Sequence, residues 1–121
     1  MPFIEIIDRD AAQETRAKAT RALTDGLCEA FSIKPEIVTC YYFSAPEYSY
    51  GHAGKHGADA ENFRIFIKVH AFPRPQEAKA AAARAMTDGV VAAYGANPKD
   101  VIVYFFDRAP SDAFHAGLAS A

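Results

Sequence analysis

Proline at position 2 is the residue in this sequence that is best suited to chemistry. Removal of Met1 would expose a secondary amine, a base that no internal residue can supply. Apolar surroundings and a nearby cation disfavour the ammonium form of such an amine and lower its pKa. A base whose pKa lies near the working pH is suited to removing a proton from the carbon beside a carbonyl. If Met1 stays in place, the nitrogen of Pro2 is an amide and this chemistry is lost.

The sequence repeats itself at an offset of 63 positions. The matching segments are Phe3-Ile4 with Phe66-Ile67, Thr24-Asp25-Gly26 with Thr87-Asp88-Gly89, and His52-Ala53-Gly54 with His115-Ala116-Gly117. Pro2 corresponds to Ile65 in the second repeat, and isoleucine has no basic group. We therefore predict a single domain over residues 1–121, made of the repeats 2–58 and 63–121, with one active site per chain.

Each repeat has the pattern of a strand, a helix and a second strand. Apolar and β-branched runs predict strands over residues 3–7, 38–43, 64–71 and 101–106. Apolar stripes at helical spacing predict one helix from an Asp10 N-cap to about Ser32 and another from Pro75 to about Gly95. The glycine-rich segment 48–57 predicts a turn or hairpin. The fold class is α/β (an α+β sandwich): a four-stranded mixed sheet with both helices on one face, and other subunits covering the opposite face.

Composition excludes several classes of function. The net charge of −2 is spread without a basic stripe, so nucleic acid is not expected as a partner. No apolar run reaches membrane-spanning length and no leader pattern is visible, so we expect a soluble, cytoplasmic protein without a membrane partner. Cys28 and Cys40 correspond to Val91 and Val103 at the 63-position offset, so we expect both to act as small buried hydrophobes and not to form a disulfide.

Histidine spacing does not predict a metal site. His52 and His56 are four residues apart, but the segment is glycine-rich rather than helical and lacks a convincing third ligand. We therefore expect no metal. His70 lies in the middle of a predicted strand and receives no role.

The start Met-Pro-Phe-Ile-Glu-Ile, the following helix, the Pro35-Glu-Ile-Val38 strand entry and the Tyr50-Gly-His-Ala-Gly54 hairpin resemble the tautomerase superfamily. That group includes 4-oxalocrotonate tautomerase, malonate semialdehyde decarboxylase and cis-3-chloroacrylic acid dehalogenase. The length and internal repeat are similar to the fused members, in which one chain holds two βαβ units and three chains form a trimer. The resemblance implies a tautomerase/MIF-like fold, a homotrimer, no cofactor, and an N-terminal proline that acts as the catalytic base or acid.

The resemblance also implies roles for individual residues. Arg74 matches an arginine just before the second helix that binds the substrate carboxylate, and it would lower the pKa of Pro2. Tyr104 matches a strand tyrosine that helps the dehalogenase to activate water, and a phenol at this place can hydrogen-bond an enolate or water. Its repeat partner Tyr41 suggests, almost as strongly, a packing role common to both strands. The remaining candidates, expected to line or assist the substrate pocket, are Phe72, Phe114, His115 and Arg108.

Departures from the family pattern narrow the substrate. Phe72 occupies the place of a second arginine, and Leu27 the place of a histidine that the dehalogenase uses. We therefore expect a tautomerase acting on a small monocarboxylate or keto–enol compound. The alternatives are hydration, dehalogenation or decarboxylation of a three-carbon acid at the same site, or a non-enzymatic trimeric binding protein if Met1 is retained. The sequence does not identify the substrate.

Overall fold

The computed structural model describes residues 1–120. The elements follow the chain as β1 (Phe3–Asp8), α1 (Gln13–Phe31), β2 (Thr39–Ser44), β3 (Gly51–His52), β4 (Lys55–His56), β5 (Ile65–Ala71), α2 (Gln76–Tyr94), β6 (Val101–Asp107), β7 (Phe114–His115) and β8 (Leu118–Ala119). The two helices begin and end at matching places, Gln13–Phe31 and Gln76–Tyr94, at the 63-position offset of the sequence repeat.

Four strands form one mixed sheet in the order β2-β1-β5-β6. β1 is parallel to β2, and β5 is parallel to β6, so each half is a βαβ unit with its helix as the crossover. The two units meet at β1 and β5, which run antiparallel with Phe3 opposite His70. β3-β4 and β7-β8 are short separate hairpins. The predicted fold class and the predicted hairpin are confirmed.

The hydrophobic core lies between the sheet and the helices. Alternate residues of the central strands face the helices and are fully buried, namely Ile4, Ile6, Ile67 and Val69. The helices contribute the predicted apolar stripes, whose fully buried members are Ala19, Leu23, Leu27, Ala82, Met86 and Val90. A strand buries every second residue, whereas a helix buries residues three or four apart. Both periods are visible in the sequence, and the buried helix residues lie on the predicted apolar stripes.

The start of α1 differs from the prediction, because Asp10 is not its N-cap. The N-cap is Ala12, which has no capping side chain, and Asp10 adopts a positive φ of 78°. The acid that organises this turn is Asp8: its Oδ1 accepts hydrogen bonds from the backbone N–H groups of Asp10 (2.9 Å) and Ala11 (3.4 Å). A buried acid at the end of β1 therefore replaces the expected cap. The other end is as predicted, with the helix stopping before Ser32 in the left-handed conformation.

The helices cross where the Thr-Asp-Gly motif is repeated. A Cβ on Gly89 would lie 2.5 Å from the Cβ of Ala22, and a Cβ on Gly26 would lie 3.0 Å from the Cβ of Ala85. Glycine at these two positions thus lets the helix backbones approach closely. This contact holds the two βαβ units together on the helical side.

The other side of the sheet has no helix over it, and we call it the open face. It presents Tyr41, Phe43, Tyr104 and Phe106, which are 52%, 49%, 54% and 41% exposed. Exposed aromatic side chains on both edge strands indicate an interaction surface. Among residues 1–120, no helix combines the length and apolar character needed to cross a membrane. Both cysteines are free thiols.

Candidate active site

Pro2 lies at the end of the sheet where β1 begins and where β5 and β6 end, here called the Pro2 end. Pro2 is buried and follows the same alternation as Ile4 and Ile6, so it belongs to the helix-facing side of β1. Because Phe3 lies opposite His70, the antiparallel register places Pro2 beside Ala71. The backbone N–H of Arg108 donates to the carbonyl of Ala71 at 2.8 Å. Chain segments from both halves therefore meet around Pro2.

Arg74 lies in the turn between β5 and α2, at the same end of the sheet. Its Nη1 donates to the carbonyl of Phe72 at 2.8 Å, and its guanidinium carbon lies 4.7 Å from the ring centroid of Phe31. Within residues 1–120, Arg74 takes part in none of the ion pairs. The same Nη1 also donates to the carbonyl of Pro73 at 3.4 Å. Two carbonyls and one aromatic ring thus orient the guanidinium, while other N–H donors stay available for a planar anion.

A further ion pair at the Pro2 end was missed by the sequence analysis. Lys79 Nζ, in the first turns of α2, lies 2.9 Å from Oδ1 of Asp107, the last residue of β6. Lys79 corresponds to Arg16 at the 63-position offset, so the repeat carried a signal for a basic residue at this point of both helices. Because Lys79 pairs with Asp107, the acid at this end is neutralised and the charge of Arg74 is not.

The opposite end of the sheet, the Asp8 end, holds a buried ionic cluster. Asp8 is fully buried and accepts hydrogen bonds from Nη2 of Arg16 (2.6 Å), Nε of Arg16 (3.0 Å) and the hydroxyl of Tyr94 (2.6 Å). Burial alone would raise the pKa of Asp8, but these hydrogen bonds outweigh it and hold the pKa below its usual value. Burial, reinforced by the hydrogen bond to Asp8, raises the pKa of Tyr94, which therefore stays protonated as a donor.

The two ends differ where their residues correspond. At the 63-position offset, Asp8 corresponds to Ala71 and Tyr94 to Phe31. The place of the buried carboxylate is thus occupied by a methyl group at the Pro2 end, and the place of the phenol by a plain phenyl ring. The Pro2 end is therefore the apolar end, with guanidinium groups and no buried acid in that position.

The other candidate residues lie elsewhere in the protomer. Tyr104 is on the open face, opposite Lys68 and edge-on to Phe66 at 5.4 Å between ring centroids, whereas Pro2 is on the helix-facing side. Phe114, 65% exposed, and His115 form β7 of the C-terminal hairpin and are both exposed. One protomer thus brings Pro2, Phe72, Arg74 and Arg108 to one end and leaves these three side chains facing outward.

His70, to which the sequence assigned no role, forms a polar cluster on the open face. Its Nε2 lies 2.6 Å from Oε2 of Glu5, with Lys68 Nζ 3.9 Å from the same oxygen. The imidazole is stacked between Phe3 and Phe106, with centroid distances of 4.3 and 4.8 Å. Only the antiparallel register of β1 and β5 brings Glu5 near His70, so the separate strand patterns gave no signal for the pair.

Solved structures show where this architecture recurs. The chain superposes on the Q0 fused 4-OT symmetric trimer with a TM-score of 0.86 and 22% identity, covering 98% of this chain and 95% of that one. The N1 member of the cis-3-chloroacrylic acid dehalogenase (cis-CaaD) family gives 0.82 and 16%, over 97% and 82% of the chains. Macrophage migration inhibitory factor from Toxoplasma gondii gives 0.78 and 13%, over 97% and 98%.

These likenesses extend over nearly the whole chain, and at such low identity they concern the fold. No protein-family profile and no curated protein sequence matches this chain. The structural neighbours are the proteins whose superfamily the N-terminal and repeat motifs resemble, which confirms that resemblance at the level of structure. The chain therefore has the tautomerase superfamily fold, in the arrangement of two tandem βαβ units that the fused 4-OT structures share.

Proposed function

We propose that the mature protein is a cofactor-free tautomerase in which the amine of Pro2 moves a proton within a small keto or enol carboxylic acid. The observation that carries this proposal is the asymmetry of the two sheet ends. The end that holds Pro2 has Ala71 and Phe31 where the other end has the buried Asp8 and its partner Tyr94. A neutral secondary amine is favoured in such surroundings.

The electrostatics of the two ends explain why. A buried carboxylate next to an amine stabilises the ammonium form and raises its pKa, which would disable a base. At the Pro2 end this position is apolar, the acid Asp107 is paired with Lys79, and Arg74 has no acidic partner within the described residues. Apolar burial and a nearby cation both act in the opposite direction, toward the unprotonated amine.

The proposed reaction begins with the substrate carboxylate bound by Arg74. A guanidinium and a carboxylate are both planar, so two parallel hydrogen bonds fix the orientation of the substrate. Pro2 then accepts a proton from the enol oxygen or from the carbon beside the carbonyl and returns it to the other atom, so no net proton is consumed. Negative charge develops on the enolate oxygen in between, and the cationic groups of Arg74 and Arg108 stabilise that charge.

The remaining candidates enter the proposal as pocket residues. Phe72 precedes Arg74 by two residues and would form an apolar wall for the substrate. Tyr104, Phe114 and His115 face outward from the protomer, and we propose that they complete the site of a neighbouring subunit. The fused 4-OT neighbours are trimers, which supports a homo-oligomer. We propose a homotrimer assembled through the open face, where Tyr104 lies.

The first experiment is intact-mass measurement of the purified protein. A mass without Met1 is expected, and a mass that retains Met1 would exclude the amine mechanism and leave a non-enzymatic binding protein on this scaffold. The second experiment compares enol–keto conversion of 2-hydroxymuconate and of phenylpyruvate by the wild type and by Pro2→Ala. We expect Pro2→Ala to lower kcat/KM by about 10²–10⁴-fold, the usual contribution of a positioned acid–base group.

Two arginine variants separate substrate binding from general effects of charge. Arg74→Gln should raise KM and lower kcat/KM by roughly 10–100-fold, the range for loss of a charged hydrogen bond. Arg21→Gln removes an exposed arginine from α1, away from the site, and is the matched control with wild-type kinetics. Equal turnover in Arg74→Gln and the control would show that the anion site lies elsewhere.

Turnover of a 3-haloacrylate or a three-carbon semialdehyde in place of the enols would instead identify dehalogenation, hydration or decarboxylation at this site.

A further inference from the structure

A cavity of about 290 Å³ lies at the Asp8 end, outside the site proposed for Pro2. Its lining includes Arg9, Phe63, Ile65 and Tyr94. Ile65 corresponds to Pro2 and Tyr94 to Phe31 at the 63-position offset, so the cavity occupies the matching place in the second half. An internal isoleucine supplies no amine, and a ligand bound here would therefore not be turned over by the proline mechanism.

The guanidinium of Arg9 is held beside this cavity by two aromatic rings. Its central carbon lies 4.7 Å from the ring centroid of Phe63 and 5.3 Å from that of Tyr50. Tyr50 is itself fixed, because its hydroxyl donates to the carbonyl of Asn62 (3.1 Å) and accepts from the backbone N–H of Arg64 (3.0 Å). The two ring centroids are 4.5 Å apart, so both rings lie on one side of the guanidinium and leave N–H groups on its other sides for a ligand.

The acids around the cavity have partners of their own. Asp10 accepts a hydrogen bond from Oγ of Ser44 at 2.9 Å, and Asp8, behind Tyr94, is paired with Arg16. Arg9 belongs to none of the ion pairs formed among residues 1–120. Asp10 also lines the cavity and has no ion-pair partner among residues 1–120, but it is exposed and accepts the hydrogen bond from Ser44. The guanidinium of Arg9 is thus the cationic group at this cavity that is available to an anion.

We infer that this cavity is a second, non-catalytic binding site for a small planar carboxylate. The carboxylate would pair edge-on with Arg9, and the apolar body would rest on Phe63, Ile65 and Ala96. A guanidinium pairs bidentately with carboxylate and with phosphate, so the apolar lining supplies the preference for a carboxylate that carries an apolar ring. The volume suits one ring, because a cavity of about 150 Å³ is enough to hold benzene.

The test is a titration of the ¹⁵N-labelled full-length protein with benzoate, followed by ¹H–¹⁵N NMR. Saturable shifts are expected at the backbone amides of Arg9, Phe63 and Ala96. Benzamide, the uncharged analogue, should bind at least tenfold more weakly, and inorganic phosphate should give no saturable shift at these amides. Equal binding of benzamide would overturn the role of the anion, and equal binding of phosphate would overturn the preference for a carboxylate.

Variants distinguish this site from the one proposed around Pro2. Arg9→Gln should weaken benzoate binding at these amides by at least about tenfold, as expected for loss of a charged hydrogen bond, while leaving enol turnover unchanged. Ala96→Leu keeps Arg9 but fills the cavity and should weaken binding similarly. Arg74→Gln should leave these shifts in place. Shifts that persist in both Arg9→Gln and Ala96→Leu would refute the site, whereas failure of the tautomerase assay alone would not affect it.

Discussion

Replacement of Gly89 by alanine tests the account of the helix crossing most directly. The added Cβ would lie 2.5 Å from the Cβ and 3.6 Å from the Cα of Ala22. Carbon atoms in contact prefer about 3.5–4.0 Å, so the two helices must separate by roughly 1 Å at this point. Leu23 and Met86 are fully buried on the same two helices, and their packing would loosen as the helices part.

The expected magnitude follows from two opposing effects. Overpacking of a well-packed core costs about 1–3 kcal/mol. Alanine is favoured over glycine in a helix by about 1 kcal/mol, which offsets part of that cost. We therefore expect Gly89→Ala to lower the free energy of unfolding by about 1–2 kcal/mol. At the matching position, a Cβ on Gly26 meets the Cβ of Ala85 at 3.0 Å, so Gly26→Ala needs a smaller adjustment and should change stability by less than about 0.5 kcal/mol.

Urea unfolding followed by circular dichroism, at one fixed protein concentration, measures both effects. The double variant Ala22→Gly with Gly89→Ala supplies the decisive control, because it removes the carbon atom against which the new methyl group clashes. The double variant should recover the loss caused by Gly89→Ala, apart from the helix-propensity cost of the new glycine. Strict additivity of the two single changes, or a Gly89→Ala protein as stable as the wild type, would refute a close helix crossing.

Three further predictions concern charge and assembly. Asp8→Asn should destabilise the fold at pH 7 by about 3 kcal/mol, since it removes the fully buried partner of the partly buried Arg16. Because folding lowers the pKa of Asp8, the stabilisation by its carboxylate is present above the ordinary pKa of 3.8 and is lost as the pH falls through the pKa of the folded state. The difference in free energy of unfolding between wild type and Asp8→Asn, measured by urea unfolding, should therefore narrow below the pKa of the folded state. Lys79→Gln breaks the half-exposed pair with Asp107 and should cost less than about 1 kcal/mol in the same melts, with a smaller cost in high salt. Phe106→Glu places a charge on the open face and should shift the protein to smaller species in analytical ultracentrifugation, whereas an unchanged mass would show that assembly uses another surface.

The helix and sheet layers of the fold were predictable because the strands bury every second residue and the helices bury residues three or four apart. Ile4 and Ile6 alternate with outward residues in β1, and Leu23 and Leu27 recur at helical spacing in α1. The antiparallel pairing of β1 with β5 could not be predicted in the same way, because no local pattern specifies which strands are neighbours. The pair formed by Glu5 and His70 became visible only when that register was known.

The strand-to-helix turn shows a second limit of sequence reasoning. Asp10 has the residue type and spacing of an N-cap, but Asp8 accepts the hydrogen bonds from the amides at the start of the turn, and Asp10 accepts from Ser44 instead. Asp8 shares the alternation of Ile4 and Ile6, which marks it as inward-facing. That signal was present in the sequence, yet an acid is ordinarily excluded from the core unless it is paired. The partners, Arg16 and Tyr94, come from two different helices and could not be assigned in advance.

At the Pro2 end, the sequence located Pro2 and Arg74 on the elements where they are found. It could not state that Phe31 contacts Arg74, because the end of α1 and the start of α2 become neighbours only in the folded chain. The roles of Tyr104, Phe114 and His115 depend on surfaces that one protomer leaves open, so they stay predictions. In the proposed trimer, those positions would contribute to the site of a neighbouring subunit.

Because the two βαβ units are joined in one chain, residues at matching positions of the two sheet ends can differ. In an assembly of identical single units, every substitution is present at both ends, and a proton-accepting end cannot lose a buried acid without the other end losing it too. Here each end combines residues of both halves, Asp8 with Tyr94 at one end and Ala71 with Phe31 at the other. Substitutions can therefore place a buried acid at one end and an apolar residue at the matching position of the other end independently. A homomeric ancestor would have had to compromise between these two demands.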